Sequence, residues 1–325
     1  MKQKVLITGA SGFLGYHLIN AAVANELEVY AAVRAKSTVN HLEELPVNKV
    51  VLDYADKNML SAVLASHQFD YIIHAAGTTK ANTQQEYDTV NALYTASLAE
   101  AAAKSNCKKF VFISSLAAVG PIKGLAGEIT EDRLPNPVTA YGKSKLAAEQ
   151  LLMRQPVNAV ILRPTAIYGP REKDLFLLAG YLKKGIDLYI GNKPQKLTFV
   201  HGKDAATLAV QALLSNTTGI YNVSDGLVYS RYHFADIIKK QLNKKAVRLH
   251  LPVGFVKAAL ALVERINKMK DTVPPVSREK LGELIADNWS CNIDKAKKEL
   301  NYQPFFNLDT GLEQTMQWYQ QNKWI

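Results

Sequence analysis

The sequence predicts an α/β fold: a doubly wound parallel sheet followed by a smaller, mainly helical C-terminal lobe. Three observations predict it. Short apolar runs alternate with helix-length stretches through the first half of the chain. A glycine-rich turn joins the first such run to the first helix. Beyond Arg163-Pro164 the alternation gives way to helical patterns broken by Pro252, Pro274, Pro275 and Pro304. Strands separated by helices are the mark of βαβ units, whose crossovers make the sheet parallel.

The strand-like runs fall at 5–8, 28–33, 49–52, 71–74, 110–114 and 159–162. Helical stretches lie at 14–24, 87–104 and 144–153, then at 173–184 and 232–241. Leu14, Leu18, Ala21 and Ala22 recur at helical spacing and would face the sheet. This division predicts a dinucleotide-binding domain at 1–168 and about 200–228, with a substrate-binding lobe at about 169–199 and 229–325.

Composition narrows the classes. With 48% hydrophobic and 21% charged residues among 325, the chain has enough apolar surface to offset the entropy of ordering, which excludes a disordered protein. No run approaches the roughly 18 apolar residues of a membrane span. The opening MKQKVLITG runs straight into a strand pattern, so no signal peptide is expected. Cys107 and Cys291 stand far apart and outside any metal-like spacing, which points to a reducing, cytoplasmic setting and to no metal. The net charge of +10 is concentrated in residues 231–300, where 15 Lys/Arg face 8 Asp/Glu. These lysines lie in helical patterns without interleaved aromatics, so a solvated basic face is expected and nucleic acid is not.

The turn at 9–15 reads Gly9-Ala-Ser11-Gly12-Phe13-Leu14-Gly15. Gly9 permits a sharp turn, Gly12 a close approach to a pyrophosphate, and Gly15 tight packing of helix on strand. The helix that begins there would aim its free N–H groups and positive dipole end at the phosphates. The second strand ends at Arg34, with Lys36 just beyond, where an NAD site would carry an acidic side chain for the ribose hydroxyls. A guanidinium has nothing to accept with, but it grips a 2′-phosphate, so NADP is expected in preference to NAD. Asp53 is placed for the adenine amino group, helped by the backbone of Tyr54.

Tyr141 and Lys145 stand one helical turn apart on one face. A phenol with an ordinary pKa near 10 moves protons poorly at neutral pH. A neighbouring ammonium and an oxidised nicotinamide would favour its phenolate, and Lys145 could also hold the nicotinamide ribose. Ser115, just past the fifth strand, stands at the carboxyl edge where ligands bind such sheets, ready to hold a substrate oxygen beside Tyr141.

Taken together these motifs resemble the extended short-chain dehydrogenase/reductase family, the group that includes the NAD-dependent epimerase/dehydratase enzymes. Thr8-Gly9-Ala-Ser-Gly12-Phe-Leu-Gly15 resembles its TGxxGFxG loop, and Asp70-Tyr-Ile-Ile-His74-Ala-Ala76 its DxVIHxAA strand. Asn91 falls at its structural asparagine. Ser115, Tyr141 and Lys145 fall on its catalytic positions. Arg163-Pro-Thr-Ala-Ile-Tyr168-Gly-Pro170 and Phe199-Val-His-Gly-Lys-Asp204-Ala-Ala206 resemble its later signatures. The resemblance implies a Rossmann sheet with Ala75, Ala76, Gly77, Pro164 and Ile167 bordering the cofactor.

The departures narrow the chemistry. Family dehydratases carry acidic residues after the catalytic serine or threonine position, where this chain has Leu116, Ala117 and Ala118. Many nucleotide-sugar epimerases carry an arginine where Leu197 stands and an acidic residue where Arg34 stands. Tyr94 replaces the glycine usual after Asn91, which changes local packing. The resemblance then runs toward 3β-hydroxysteroid dehydrogenases and dihydroflavonol-type reductases. These transfer hydride between a nicotinamide cofactor and a ketone or secondary alcohol of an apolar, sterol-, flavonoid- or lipid-like substrate. The alternatives are a nucleotide-sugar epimerase using bound NAD and a non-catalytic dinucleotide-binding regulator.

The stretch 251–270 carries an apolar stripe of Val256, Leu260 and Val263, with Lys257, Glu264 and Lys268 on another face. It would pack as core, line an apolar pocket or make weak contact with a membrane surface. The resemblance also implies a homodimer joined through the helices at 87–104 and 141–153. Alanines 96, 99, 101, 102, 103, 147 and 148 would allow close helix approach there, or equally well packing against a sheet.

Overall fold

The computed structural model describes residues 2–35, 42–269 and 278–325. Lys36, Lys270, Pro274 and Pro275 lie outside the described residues, and the side chain of Lys268 is likewise not described. At the centre is a parallel sheet of seven strands. Its first six in chain order are β1 (Lys4–Thr8), β2 (Glu28–Val33), β3 (Asn48–Val51), β4 (Tyr71–His74), β5 (Lys109–Ile113) and β6 (Ala159–Pro164). The strand Gly219–Val223 completes it beside β6, giving the spatial order Gly219–Val223, β6, β5, β4, β1, β2, β3.

The sheet is buried on both sides, so its strands read as unbroken apolar runs. Successive side chains of a strand alternate between faces. Val5 and Ile7 of β1 meet Leu18, Ile19 and Ala22 of helix α1 (Phe13–Ala24) on one side. Leu6, between them, faces the other side with Leu60 and Leu64 of α2 (Lys57–His67). Asp56 caps α2 by accepting from the N–H groups of Asn58 and Met59.

The expected long helix at 87–104 is a composite: α3 (Gln84–Tyr87), a wider π-type turn at Asp88–Leu93, then α4 (Tyr94–Ala103). Such turns insert an extra residue and re-aim the side chains they carry; here the turn carries the buried Asn91. Tyr94 stacks on Tyr54, ring centroids 5.9 Å apart, which settles the packing where a glycine is usual. Ala99, Ala101 and Ala102 are buried toward the sheet, as is Ala148 on α5 (Ala140–Met153), whereas Ala96, Ala103 and Ala147 are half-buried.

The C-terminal part combines helices Lys173–Lys183, His233–Gln241, Val253–Met269 and Leu308–Gln321 with short strand pairs the periodicity did not predict. One pair, Ile186–Ile190 with Val247–Leu251, is parallel. A separate apolar core joins Leu175, Ala179 and Leu182 to Ile237, Ile238, Leu312 and Met316. Cys291, Ile293, Ala296, Leu300 and Tyr302 instead join the core beneath the main sheet.

Candidate functional site

Backbone geometry at the first turn requires glycine at two positions. Gly9 holds φ at +69°, and a Cβ there would stand 2.6 Å from the carbonyl oxygen of Ala75. A Cβ on Gly15 would stand 2.2 Å from the Gly9 carbonyl oxygen. Both positions therefore demand glycine. Gly12, the N-cap of α1, supplies no side-chain cap, and the first turn of α1 holds no acidic residue. Its leading N–H groups are thus free to meet an anion.

Behind this turn a buried chain of hydrogen bonds ties β1 to β4. The Oγ1 of Thr8 accepts from the N–H groups of Ala75 (3.1 Å) and Ala76 (3.0 Å), so its one proton goes to His74 Nδ1, 2.7 Å away. The proton of His74 must then sit on Nε2, which donates to Thr95 Oγ1 (2.9 Å), and Thr95 donates to the carbonyl of Asn91 (2.7 Å). Burial drives the His74 pKa down to about 3, which keeps the ring neutral. Asn91 in turn accepts from the Thr78 N–H (2.8 Å) and donates to Ser144 Oγ (2.9 Å). A Cβ on Gly77 would meet Asn91 Oδ1 at 2.9 Å and Lys145 Nζ at 3.4 Å.

Tyr141 sits in the first turn of α5, which Thr139 caps by accepting from the Gly142 N–H (3.1 Å). A Cβ at Gly142 would lie 2.4 Å from the Ala117 carbonyl oxygen, so glycine lets this turn press against the one that begins at Ser115. Ser115 caps that turn, its Oγ accepting from the Ala117 N–H (3.2 Å), and it hydrogen-bonds the Tyr141 phenol. One turn further along α5, Lys145 is buried; its Nζ donates to the Ile113 carbonyl at 2.9 Å and lies 4.8 Å from the centre of the Phe112 ring.

Burial dominates the electrostatics of Tyr141 and Lys145. Burial pushes the Tyr141 phenol up to about 12; the Ser115 hydrogen bond opposes this, while Glu283 and Tyr87 add to it. Burial also lowers Lys145 to about 8, against the pull of Glu149. Desolvation is the largest cause for both groups, and it favours the neutral form of each.

Ser115, Tyr141 and Lys145 open onto a cavity of about 580 Å³. Leu14, Ala75, Gly77, Pro164 and Ile167 line the same cavity, so eight of the residues singled out in the sequence converge there. Ala76 joins through its N–H bond to Thr8. Gly9, Ser11, Gly12, Phe13 and Gly15 form the adjoining turn. Arg34, Asp53 and Tyr54 lie past the ends of β2 and β3 and do not line this cavity, but the Tyr54 side chain hydrogen-bonds Thr8 just before the glycine turn. Asp53 Oδ1 accepts from the Ala55 N–H at 2.9 Å, and burial pushes Tyr54 up to about 12.

Part of the cavity wall comes from the 197–199 signature region and part from a segment carrying no motif. Leu197 and Phe199 enter from one side, and Lys280, Glu283, Leu284 and Trp289 close another. Lys280 pairs with Glu283 and stands 5.8 Å from the centre of the Tyr141 ring. Glu149 and Arg163, which anchor α5 from below, were also not singled out as a pair. Only the three-dimensional fold brings these groups into register.

Comparison with known proteins agrees with this arrangement. Residues 5–224 match the sequence profile of the NAD dependent epimerase/dehydratase family. The chain is 27% identical over 324 residues to a ceramide reductase of Caulobacter vibrioides, covering 99% of this chain and 96% of that protein. It is 25% identical over 335 residues to a decarboxylating sterol-4-alpha-carboxylate 3-dehydrogenase of Dictyostelium discoideum, covering 96% of this chain and 99% of the other. Among solved structures it superposes on UDP-glucuronic acid 4-epimerase from Bacillus cereus, in complex with UDP-glucuronic acid and NAD. That match has a TM-score of 0.78 at 25% identity, covering 98% of this chain and 100% of the other.

Proposed function

The chain is a member of the NAD-dependent epimerase/dehydratase family, and from that premise we propose that it is an oxidoreductase of the extended short-chain type. It would exchange a hydride between NADP, in preference to NAD, and a ketone or secondary alcohol of an apolar substrate. The observation that carries this reading is the makeup of the cavity. Beside Ser115, Tyr141 and Lys145 it is lined by apolar Leu116, Ala117, Leu197, Phe199, Leu284 and Trp289, with several threonines and the mutually paired Lys280 and Glu283 as the other polar groups. Apolar walls with a few convergent polar groups suit an apolar substrate bearing one reacting oxygen. Leu116 and Ala117 offer no acid or base for eliminating water, and Leu197 offers no charge to a diphosphate. The names of the two apolar-substrate relatives point the same way.

The turn at 9–15, with the uncapped N-terminus of α1, and the neighbouring Gly77 would hold the dinucleotide. When bound, the nicotinamide supplies or accepts the hydride. In the reducing direction Ser115 would hold the substrate oxygen while Tyr141, protonated at neutral pH, gives it a proton. Lys145 would steady the nicotinamide ribose and the tyrosine. A homodimer through α4 and α5 is part of the proposal, supported by Leu93 and Met153, which are 54% and 57% exposed at their ends. No described helix is long and apolar enough to cross a membrane.

The test is a cofactor-oxidation screen with NADPH and NADH against ketosteroids, aryl ketones, long-chain keto-lipids and nucleotide sugars. Net cofactor oxidation on an apolar ketone is expected. Turnover of a nucleotide sugar without net cofactor change would replace this reading with that of an epimerase. With the substrate found, Tyr141→Phe is expected to lower kcat at least about 100-fold at nearly unchanged cofactor affinity.

A further inference from the structure

The parallel pair Ile186–Ile190 and Val247–Leu251 is built inside out. Its register sets Ile186 against Val247 and Leu188 against Leu249 on one face, with Asp187 against Arg248 and Tyr189 against His250 on the other. The polar face turns inward at Asp187 and Tyr189, while Arg248 and His250 on the outer strand remain exposed. Asp187 is buried there and pairs with Lys239 at 2.7 Å, while Tyr189 packs on Tyr232 and His250. The aliphatic face points to solvent: Ile186, Leu188, Val247 and Leu249 are 38%, 48%, 67% and 45% exposed. Single exposed aliphatics are ordinary, but four paired across two strands make one continuous patch.

Charge is gathered at one end of this patch. Because the strands are parallel, the residues that precede them arrive side by side: exposed Lys183 and Lys184 before one strand, exposed Lys244 and Lys245 before the other. The Val247 N–H donates to the Gly185 carbonyl at 3.0 Å, and a Cβ on Gly185 would lie 3.8 Å from the Lys245 carbonyl oxygen, so the two lysine pairs adjoin. Residues 175–186 and 237–263 contain no Asp or Glu at all. The patch is thus aliphatic, with a cationic rim whose own segments carry no acidic residue.

We propose that this sheet face docks the protein on the surface of an anionic lipid bilayer, with the aliphatic side chains entering the headgroup boundary and the four lysines meeting lipid phosphates and carboxylates. A second copy of the chain would bring more lysines to the rim and no carboxylate from these segments. Anionic lipid supplies both the apolar layer and the opposite charge. On the helix that follows Leu251, Val253–Met269, Phe255 and Leu262 are likewise exposed (64% and 61%). The docking does not depend on the oxidoreductase reading, since it can be measured without turnover.

The test is co-sedimentation of the full chain with vesicles of phosphatidylcholine alone or mixed with phosphatidylserine. Binding to the mixed vesicles that weakens with added salt, and none to phosphatidylcholine, is expected. Lys244→Gln with Lys245→Gln should lower partitioning about 25-fold, at about fivefold per lysine. Val247→Ser with Leu249→Ser should lower it as well, and because both side chains are exposed the fold survives, which an unchanged melting curve verifies. Absence of binding to anionic vesicles would overturn the proposal, as would binding indifferent to the serine pair. So would a dimer in sedimentation that the serine pair dissolves, because the face would then belong to a second copy.

Discussion

Glu149 and Arg163 form a two-pronged ion pair inside the protein, with Arg163 Nε 3.0 Å from one carboxylate oxygen and Nη2 2.6 Å from the other. Glu149 is fully buried and Arg163 nearly so, and Ser114 donates a further hydrogen bond to the same carboxylate. Glu149 lies two turns beyond Tyr141 on α5, one turn beyond Lys145, and Arg163 lies on β6. The pair therefore fixes the helix bearing the candidate catalytic groups to the sheet that ends at Pro164.

Removing one partner leaves the other as an uncompensated charge. Glu149→Gln is expected to cost about 3–5 kcal/mol of stability, read from urea unfolding of the chain without ligand. Replacing both by Glu149→Leu with Arg163→Met should restore much of that loss. A single variant that unfolds at the wild-type midpoint would contradict this role.

Lys145 makes stability depend on pH. Its pKa falls from 10.5 to about 8 on folding, so between those values the unfolded chain holds a proton that the folded chain has released. The contribution of this group to stability therefore rises with pH from about 8 upward, having been at its least favourable below 8. Against Lys145→Met, which has no such titration, the wild-type unfolding midpoint should gain ground steadily across that window. A constant difference would mean the ammonium is better solvated than its surroundings imply.

Gly77 is hemmed in by groups that cannot withdraw. Asn91 is held by its bonds to Thr78 and Ser144, and Lys145 by its bond to Ile113. Gly77→Ala should cost about 1–3 kcal/mol through overpacking and weaken cofactor binding in a fluorescence titration. An alanine variant with native stability and affinity would show that the cradle yields.

Arg34 stands at the end of β2, exposed. Arg34→Glu should weaken NADPH binding about 10- to 100-fold, the range of a charge-assisted hydrogen bond, and spare NADH. An unmoved ratio of the two affinities would remove the 2′-phosphate role.

Helix α2 and the seventh strand, Gly219–Val223, were not picked out in the sequence, but the first six strands, the glycines of the first turn and the spacing of Ser115, Tyr141 and Lys145 were. Each of the latter rests on local rules: apolar periodicity, turn conformation and spacing along one helix. The break at Asp88–Leu93 was not legible, because the apolar pattern runs through it without interruption. Nor was the wall contributed by Lys280, Glu283, Leu284 and Trp289, which meets Tyr141 across more than a hundred residues of chain. Nor could spacing show that Tyr141 and Lys145 are both buried, which pushes the phenol up and the ammonium down. Tertiary structure alone paired Glu149 with Arg163 and turned the aliphatic side of Ile186–Ile190 outward. A strand's alternation fixes which side chains share a face, but which face meets water depends on where the rest of the fold supplies partners for the polar one.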